Sequence, residues 1–257
     1  MSRIEWLVVC GAVGCAFPSD AHDEGECGAQ PDDAEVIPLK EAKLNIEHNA
    51  TDIDTGFQGF IDSDGWSCLD VTGPDGVVFS LLGGGALGEL GLTELFFETV
   101  EPEWVDVPLD DILSVLPEGD YVIEGPAVEA GEVLGWTTGT ALLTHDIPAG
   151  PPLISPAEGE VVAVADLLME WGAVTETIDG DPVNVVSYQL IVEEDTEELD
   201  PHVIGKPGLQ FNVPATTTSM TVPGEFLKPG TAYVWEVLAQ EESGNQTLSS
   251  GAFETEP

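Results

Sequence analysis

Four aspartates, Asp52, Asp54, Asp62 and Asp64, crowd the stretch DIDTGFQGFIDSDGW, interleaved with glycines. Carboxylate oxygens on short Gly-containing turns are hard ligands of the kind that Ca²⁺ takes. The spacing departs from an EF-hand. With Gly56 as the central glycine of the loop, Thr51 and Ile53 fall where the first two carboxylates belong. Two expectations stand side by side: a Ca²⁺ site at these four aspartates, or aspartates that simply form turns.

Other patterns that carry chemistry are weaker. Gly83, Gly85 and Gly88 fit G-x-G-x-x-G after an apparent strand. That fingerprint needs a helix inside a βαβ unit, so the glycines are read as a loop or bulge and no cofactor is expected. The sequence has no G-x-S-x-G, H-E-x-x-H or P-loop motif. His22, His48, His145 and His202 are widely spaced and are expected in surface roles. Carboxylate pairs occur everywhere, so a pair by itself does not indicate a glycosidase, which needs two carboxylates held across a sugar-sized cleft. Trp66 and Trp104 would suit a sugar-binding face, although packing in a β core is the commoner fate of Trp. Asn49-Ala50-Thr51 and Asn245-Gln246-Thr247 are formal N-glycosylation sequons.

The charge balance excludes whole classes of partner. The chain has 257 residues, with 49 Asp plus Glu against 5 Lys plus Arg, a net charge of −44. Nucleic acid and anionic membrane surfaces need clustered Lys and Arg, so neither is expected as a partner. Two readings of the charge remain, an acidic surface solvated in a salty or cation-rich medium or a dedicated divalent-cation site, and any partner is expected to be a protein or carbohydrate.

The first 21 residues read as an export signal. Arg3 precedes an apolar run of about a dozen residues, Trp6 to Phe17, too short to span a bilayer. A small-x-small pattern follows at Ser19-Asp20-Ala21; lipid attachment at Cys15 is the alternative. No other stretch is apolar enough for a transmembrane helix. The expected location is secreted, periplasmic or at the cell surface, in a bacterium. Cleavage would leave Cys27 and Cys68, a candidate disulfide in an oxidising compartment. Two free thiols, one buried and one at the surface, are the other outcome.

The elements that must position these residues read as β throughout. Residues 22–38 are an acidic lead-in expected to be disordered. Residues 39–148 hold short strands (Lys43–Glu47, Phe57–Ile61, Trp66–Val71, Val77–Leu82) split by Gly- and Asp-rich turns, with one short helix at Pro108–Leu116. That pattern predicts a β-sandwich-like domain of unknown role. Ala149-Gly150-Pro151-Pro152 marks a boundary.

Beyond the boundary, Leu168-Met169-Glu170-Trp171, the alternating Val186–Val192 strand, and Tyr233-Val234-Trp235-Glu236-Val237-Leu238-Ala239 after Lys228-Pro229-Gly230 are similar to the B, C and F strands of a fibronectin type III domain. Residues 149–257 thus resemble that family, with Tyr233 as the corner tyrosine. Alternation supports the same picture, since Tyr233, Trp235, Val237 and Ala239 share one face. The resemblance implies an immunoglobulin-like sandwich acting as a non-catalytic spacer or binding module. The chain as a whole is therefore expected to be an all-β, exported interaction or spacer protein. The alternative is an exported enzyme, carbohydrate-active, with its site in residues 39–147.

Overall fold

A computed structural model describes residues 27–196 and 205–257. The segment expected to be an export signal, Cys15, His22 and His202 lie outside the described residues. The first half contains β1 (Val36–Pro38), β2 (Glu41–Asn49), β3 (Asp54–Trp66), β4 (Cys68–Gly73), β5 (Gly76–Leu82), α1 (Gly85–Leu90), β6 (Leu92–Glu98), α2 (Leu109–Leu113), β7 (Gly119–Glu129) and β8 (Glu132–Leu143). Alternation sets their inner faces: Leu44 and Ile46 on β2, Phe57 and Ile61 on β3, and Tyr121 and Ile123 on β7 are buried in one core. Strand β3 pairs with β2 and β6, while β4 pairs with β5 and β7. The continuous β3–β4 run thus links two layers, with β8 and then β1 beyond β7. Ile112 and Leu116 from the α2 region close one end of this core.

Three local readings change here. The segment from Asp54 to Trp66 is one long strand, because Asp62 sits opposite Glu41 and the Ser-Asp-Gly run stays extended beside Lys40. The glycine-rich stretch forms the six-residue α1, so there are two short helices rather than one. It joins β5 and β6, which pair antiparallel with β4 and β3 and not with each other, and it buries none of its residues, so no βαβ unit forms around it. The lead-in is ordered from Cys27 onward. Residues 36–38 pair in parallel with β8, and the Trp136 N–H donates to the Glu35 carbonyl at 2.7 Å.

The second half contains β9 (Leu153–Ser155), β10 (Glu160–Val162), β11 (Leu167–Trp171), β12 (Val185–Glu194), β13 (Gly208–Pro214), β14 (Ser219–Val222), β15 (Ala232–Glu241) and β16 (Gln246–Thr255). A three-stranded sheet, β14-β11-β9, covers the run β16-β15-β12-β13. Between them lie Met169, Trp171, Tyr188, Leu190, Trp235 and Phe253, all buried. The Tyr233 hydroxyl accepts the Lys228 N–H at 2.8 Å, the corner bond of immunoglobulin-like sandwiches. This half is a fibronectin type III-like β-sandwich.

The two sandwiches share a sheet. Residues Gln246–Leu248 of β16 pair in parallel with Glu47–Asn49 of β2, so one strand order runs β1-β8-β7-β3-β2-β16-β15-β12-β13. The Ala149–Pro152 boundary is correspondingly tight. A Cβ on Gly150 would lie 2.5 Å from the Ala50 Cβ and 2.8 Å from the Ser249 Oγ, so only glycine fits between the halves. The loop before β12 also reaches back, with Ile178 N–H donating to the Ile147 carbonyl at 3.0 Å.

Candidate functional site

Strand β3 and the turn before it hold the four aspartates in two separated pairs. Asp52 lies in the β2–β3 turn, where Asn49 Oδ1 accepts the N–H groups of Thr51 and Asp52 and Asn49 Nδ2 donates to Asp52. Asp54 opens β3 opposite Asn49. Eight residues of extended chain, about 26 Å at ~3.3 Å per residue, separate it from Asp62. Asp62 and Asp64 flank Lys40, whose Nζ is 3.9 Å and 2.7 Å from their carboxylates. Proximity in sequence does not become proximity in space here, because the intervening chain is strand and not loop.

The carboxylates that do converge are Glu47, Glu98 and Glu101, with acceptor oxygens within 4.8 Å of one another. Glu47 lies on β2 opposite Gly56 of β3, and Glu98 ends β6 opposite Gln58. Gly56 makes room for the third member, since a Cβ there would sit 2.7 Å from the Glu101 Cγ. An amide chain leads from this cluster across the joint. Gln58 Nε2 donates to Glu98, Gln246 Nε2 to Glu47 and Gln58, Gln240 Nε2 to Gln246, and Ser187 Oγ to Gln240. Gln58, Gln240, Gln246 and Ser187 line a polar groove of about 360 Å³ between the sandwiches, and none of the three glutamates is in its wall.

Burial, reinforced by the charges of Glu47, Glu98 and Asp54, pushes the Glu101 carboxyl up to about 7. Burial also raises Glu47, opposed by the hydrogen bond from Gln246, and raises Asp54 and Glu236. Burial lowers His48, whose ring stacks on Trp104 at 4.8 Å and whose Nδ1 lies 2.8 Å from the Asp54 carbonyl. Three carboxylates supply up to six oxygens, the lower end of what Ca²⁺ takes, and these are the residues that would hold a cation at the joint.

The sign of the pH effect follows. A carboxyl raised in the folded state adds stability below its unfolded value near 4.5, and that stability is lost as pH climbs towards 7. The lowered His48 acts in the opposite sense, losing stability as pH falls below its ordinary 6.5. Glu101→Gln is expected to raise stability at pH 8 by about 1 kcal/mol after discounting for solvent screening, and by nothing at pH 4. Urea midpoints at the two pH values check this; an equal effect at both would sink the assignment.

Cys27 and Cys68 form a disulfide with Cα atoms 5.5 Å apart and a sequence separation of 41. Buried Asp70 accepts the Cys27 N–H at 3.0 Å and the Ser80 hydroxyl, pinning the lead-in onto β4. The bridge uses up both sulfurs of what would otherwise be a Cys-Cys-Asp ligand set.

Asn245, which the sequence marks as part of a formal sequon, is the centre of the joint. It is 1 % exposed. Its Oδ1 accepts the Ile46 N–H at 2.8 Å, and its Nδ2 donates to the carbonyl and hydroxyl oxygens of Thr144, each at 3.0 Å. A buried, saturated amide is no glycan acceptor. The signal available in the sequence was only Gly-Asn in a turn; the partners are up to 199 residues away.

No protein-family model matches the sequence, and no curated protein matches it. Among solved structures, the chain is similar to the crystal structure of chicken CNTN1 FN1-FN3 domains at 13 % identity and a TM-score of 0.34. That match covers 87 % of this chain and 66 % of that one. It is also similar to a two fibronectin type-III domain segment from chicken tenascin at 13 % identity and a TM-score of 0.30, covering 84 % of this chain and 99 % of that one. The fibronectin type III-like arrangement of residues 149–257 rests on their own strand order, their facing sheets and the Tyr233 corner.

Proposed function

We propose that this is an exported, non-catalytic interaction and spacer protein of a bacterial surface or periplasm. The observation that carries the reading is the joint: one sheet and one buried asparagine bond two sandwiches into a single body, which suits holding a fixed distance and presenting fixed faces. The Cys27–Cys68 bridge supports export, because such bonds persist in oxidising compartments. The surrounding charge of −44 keeps the body soluble and sets its partners' sign. Fractionation of expressing cells tests the reading. The expected result is a processed chain beginning after Ala21, outside the cytoplasm and without free thiols. A cytoplasmic chain with Cys27 and Cys68 reduced would overturn it.

The rival reading, an exported carbohydrate-active enzyme with its site in residues 39–147, draws on Glu47, Glu98 and Glu101. A carboxyl pushed up to about 7 by burial beside other carboxylates is the acid of many hydrolases. Against it, none of the three glutamates lines the adjoining groove, where Gln58, Gln240, Gln246 and Ser187 are already bonded to one another. Hydrolysis of a polysaccharide panel, abolished in Glu101→Gln, would favour the rival.

A further inference from the structure

Strands β5 and β6 are both edges: among the described residues, β5 pairs only with β4 and β6 only with β3. The seam between them is an apolar slot of about 300 Å³, floored by Phe57 and Leu116 and walled by Val78 and Phe79 on one side and Leu95 and Phe97 on the other. Phe79 and Phe97 meet edge to face across it at 5.0 Å. Edges are usually protected by charge, proline or shortness. Strand β6 carries Glu94 and Glu98, and β1 is three residues ending in proline. The far edge, β13, turns Gln210 and Asn212 outward and ends in Pro214. Strand β5 reads GVVFSLL, seven residues without a charge in a chain where acidic residues number 49. Its Val77, Val78 and Leu82 are exposed.

We propose that β5 is a docking edge, completed by an extended peptide strand of a partner protein that hydrogen-bonds along β5 and drops alternate apolar side chains into the slot. Strand addition joins main-chain bonds, which give affinity, to pockets for every second side chain, which give selectivity. Charge fixes the other face of the partner. Asp75 stands one residue ahead of β5, Glu94 and Glu98 alternate with Leu95 and Phe97, and Glu118 follows Leu116 by two residues. Of the described cations, Lys40 is held by Asp64, Lys43 by Glu41 and Lys228 by Glu194, and Lys206 lies in the other sandwich. The partner strand therefore alternates apolar residues with Lys or Arg. A second copy of this chain would bring another −44 to the same edge and is disfavoured. The inference rests on the interaction half of the proposed function, and it names the partner's chemistry.

The test uses the full disulfide-bonded chain and two labelled peptides of about nine residues, one alternating valine with lysine and one alternating glycine with the same number of lysines. Fluorescence anisotropy at about 0.15 M NaCl is expected to show the valine peptide binding at least about tenfold more tightly. Val78 is 37 % exposed, so Val78→Glu leaves the core intact, which its melting curve checks. It is expected to remove the valine peptide's advantage and leave the glycine peptide unchanged. Amide resonances of β5 should shift with the valine peptide alone. Equal binding of the two peptides, binding indifferent to Val78→Glu, or dodecanoate filling the slot while the valine peptide does not bind would each overturn the proposal. None of these outcomes bears on export or on the joint, so the spacer reading stands or falls separately.

Discussion

Replacing Asn245 with alanine is expected to cost about 3 kcal/mol or more. The side chain is 1 % exposed and satisfies three groups from two segments: the Ile46 N–H on one side, and the Thr144 and Asp146 carbonyls on the other. Alanine leaves the Ile46 N–H and the Thr144 carbonyl without this partner, and a buried orphan costs about 1–3 kcal/mol each. Asn245→Asp separates shape from donor chemistry. It keeps an acceptor for Ile46 but turns a carboxylate towards two carbonyls, so it is expected to be as harmful as alanine above pH 5. Urea denaturation of the two variants measures this, and a loss below about 1 kcal/mol for both would show that the joint tolerates an opening there.

Reduction of the Cys27–Cys68 bridge is expected to cost about 2–4 kcal/mol. A closed loop with a sequence separation of 41 corresponds to about 4 kcal/mol of denatured-state entropy. The lower end applies because the lead-in is also held without the bond, through Asp70, the Glu35 carbonyl and the β1–β8 pairing. Thermal unfolding with and without dithiothreitol provides the measurement. An unchanged midpoint would contradict the bridge as a stabilising element.

The C-terminal sandwich was legible because its strands obey a strict two-residue period between strong turn residues. Alternation of this kind leaves one arrangement that buries every large ring, and Tyr233, Trp235, Val237 and Ala239 are all buried. The first half was legible strand by strand, but not in its joins. Asp62-Ser63-Asp64-Gly65 has turn composition, and only the pairing with β2 and the contact to Lys40 keeps it extended. The joint left no local trace, because parallel pairing of β2 with β16 links residues 199 apart. The Glu47, Glu98 and Glu101 cluster was hidden for a different reason. In a chain with 49 acidic residues, no spacing distinguishes three that meet from the others that do not. The four aspartates of the β2–β3 region show the converse, being close in sequence while an extended strand keeps the two pairs apart.

The central claim is that the two sandwiches move as one body. Backbone ¹⁵N relaxation of the full chain tests it most directly. Residues in strands β2–β8 and in β11–β16 are expected to fit one rotational diffusion tensor, with no extra motion at Ala149–Pro152. Two separate correlation times, or raised flexibility confined to those four residues, would contradict the shared sheet and with it the spacer function built on it.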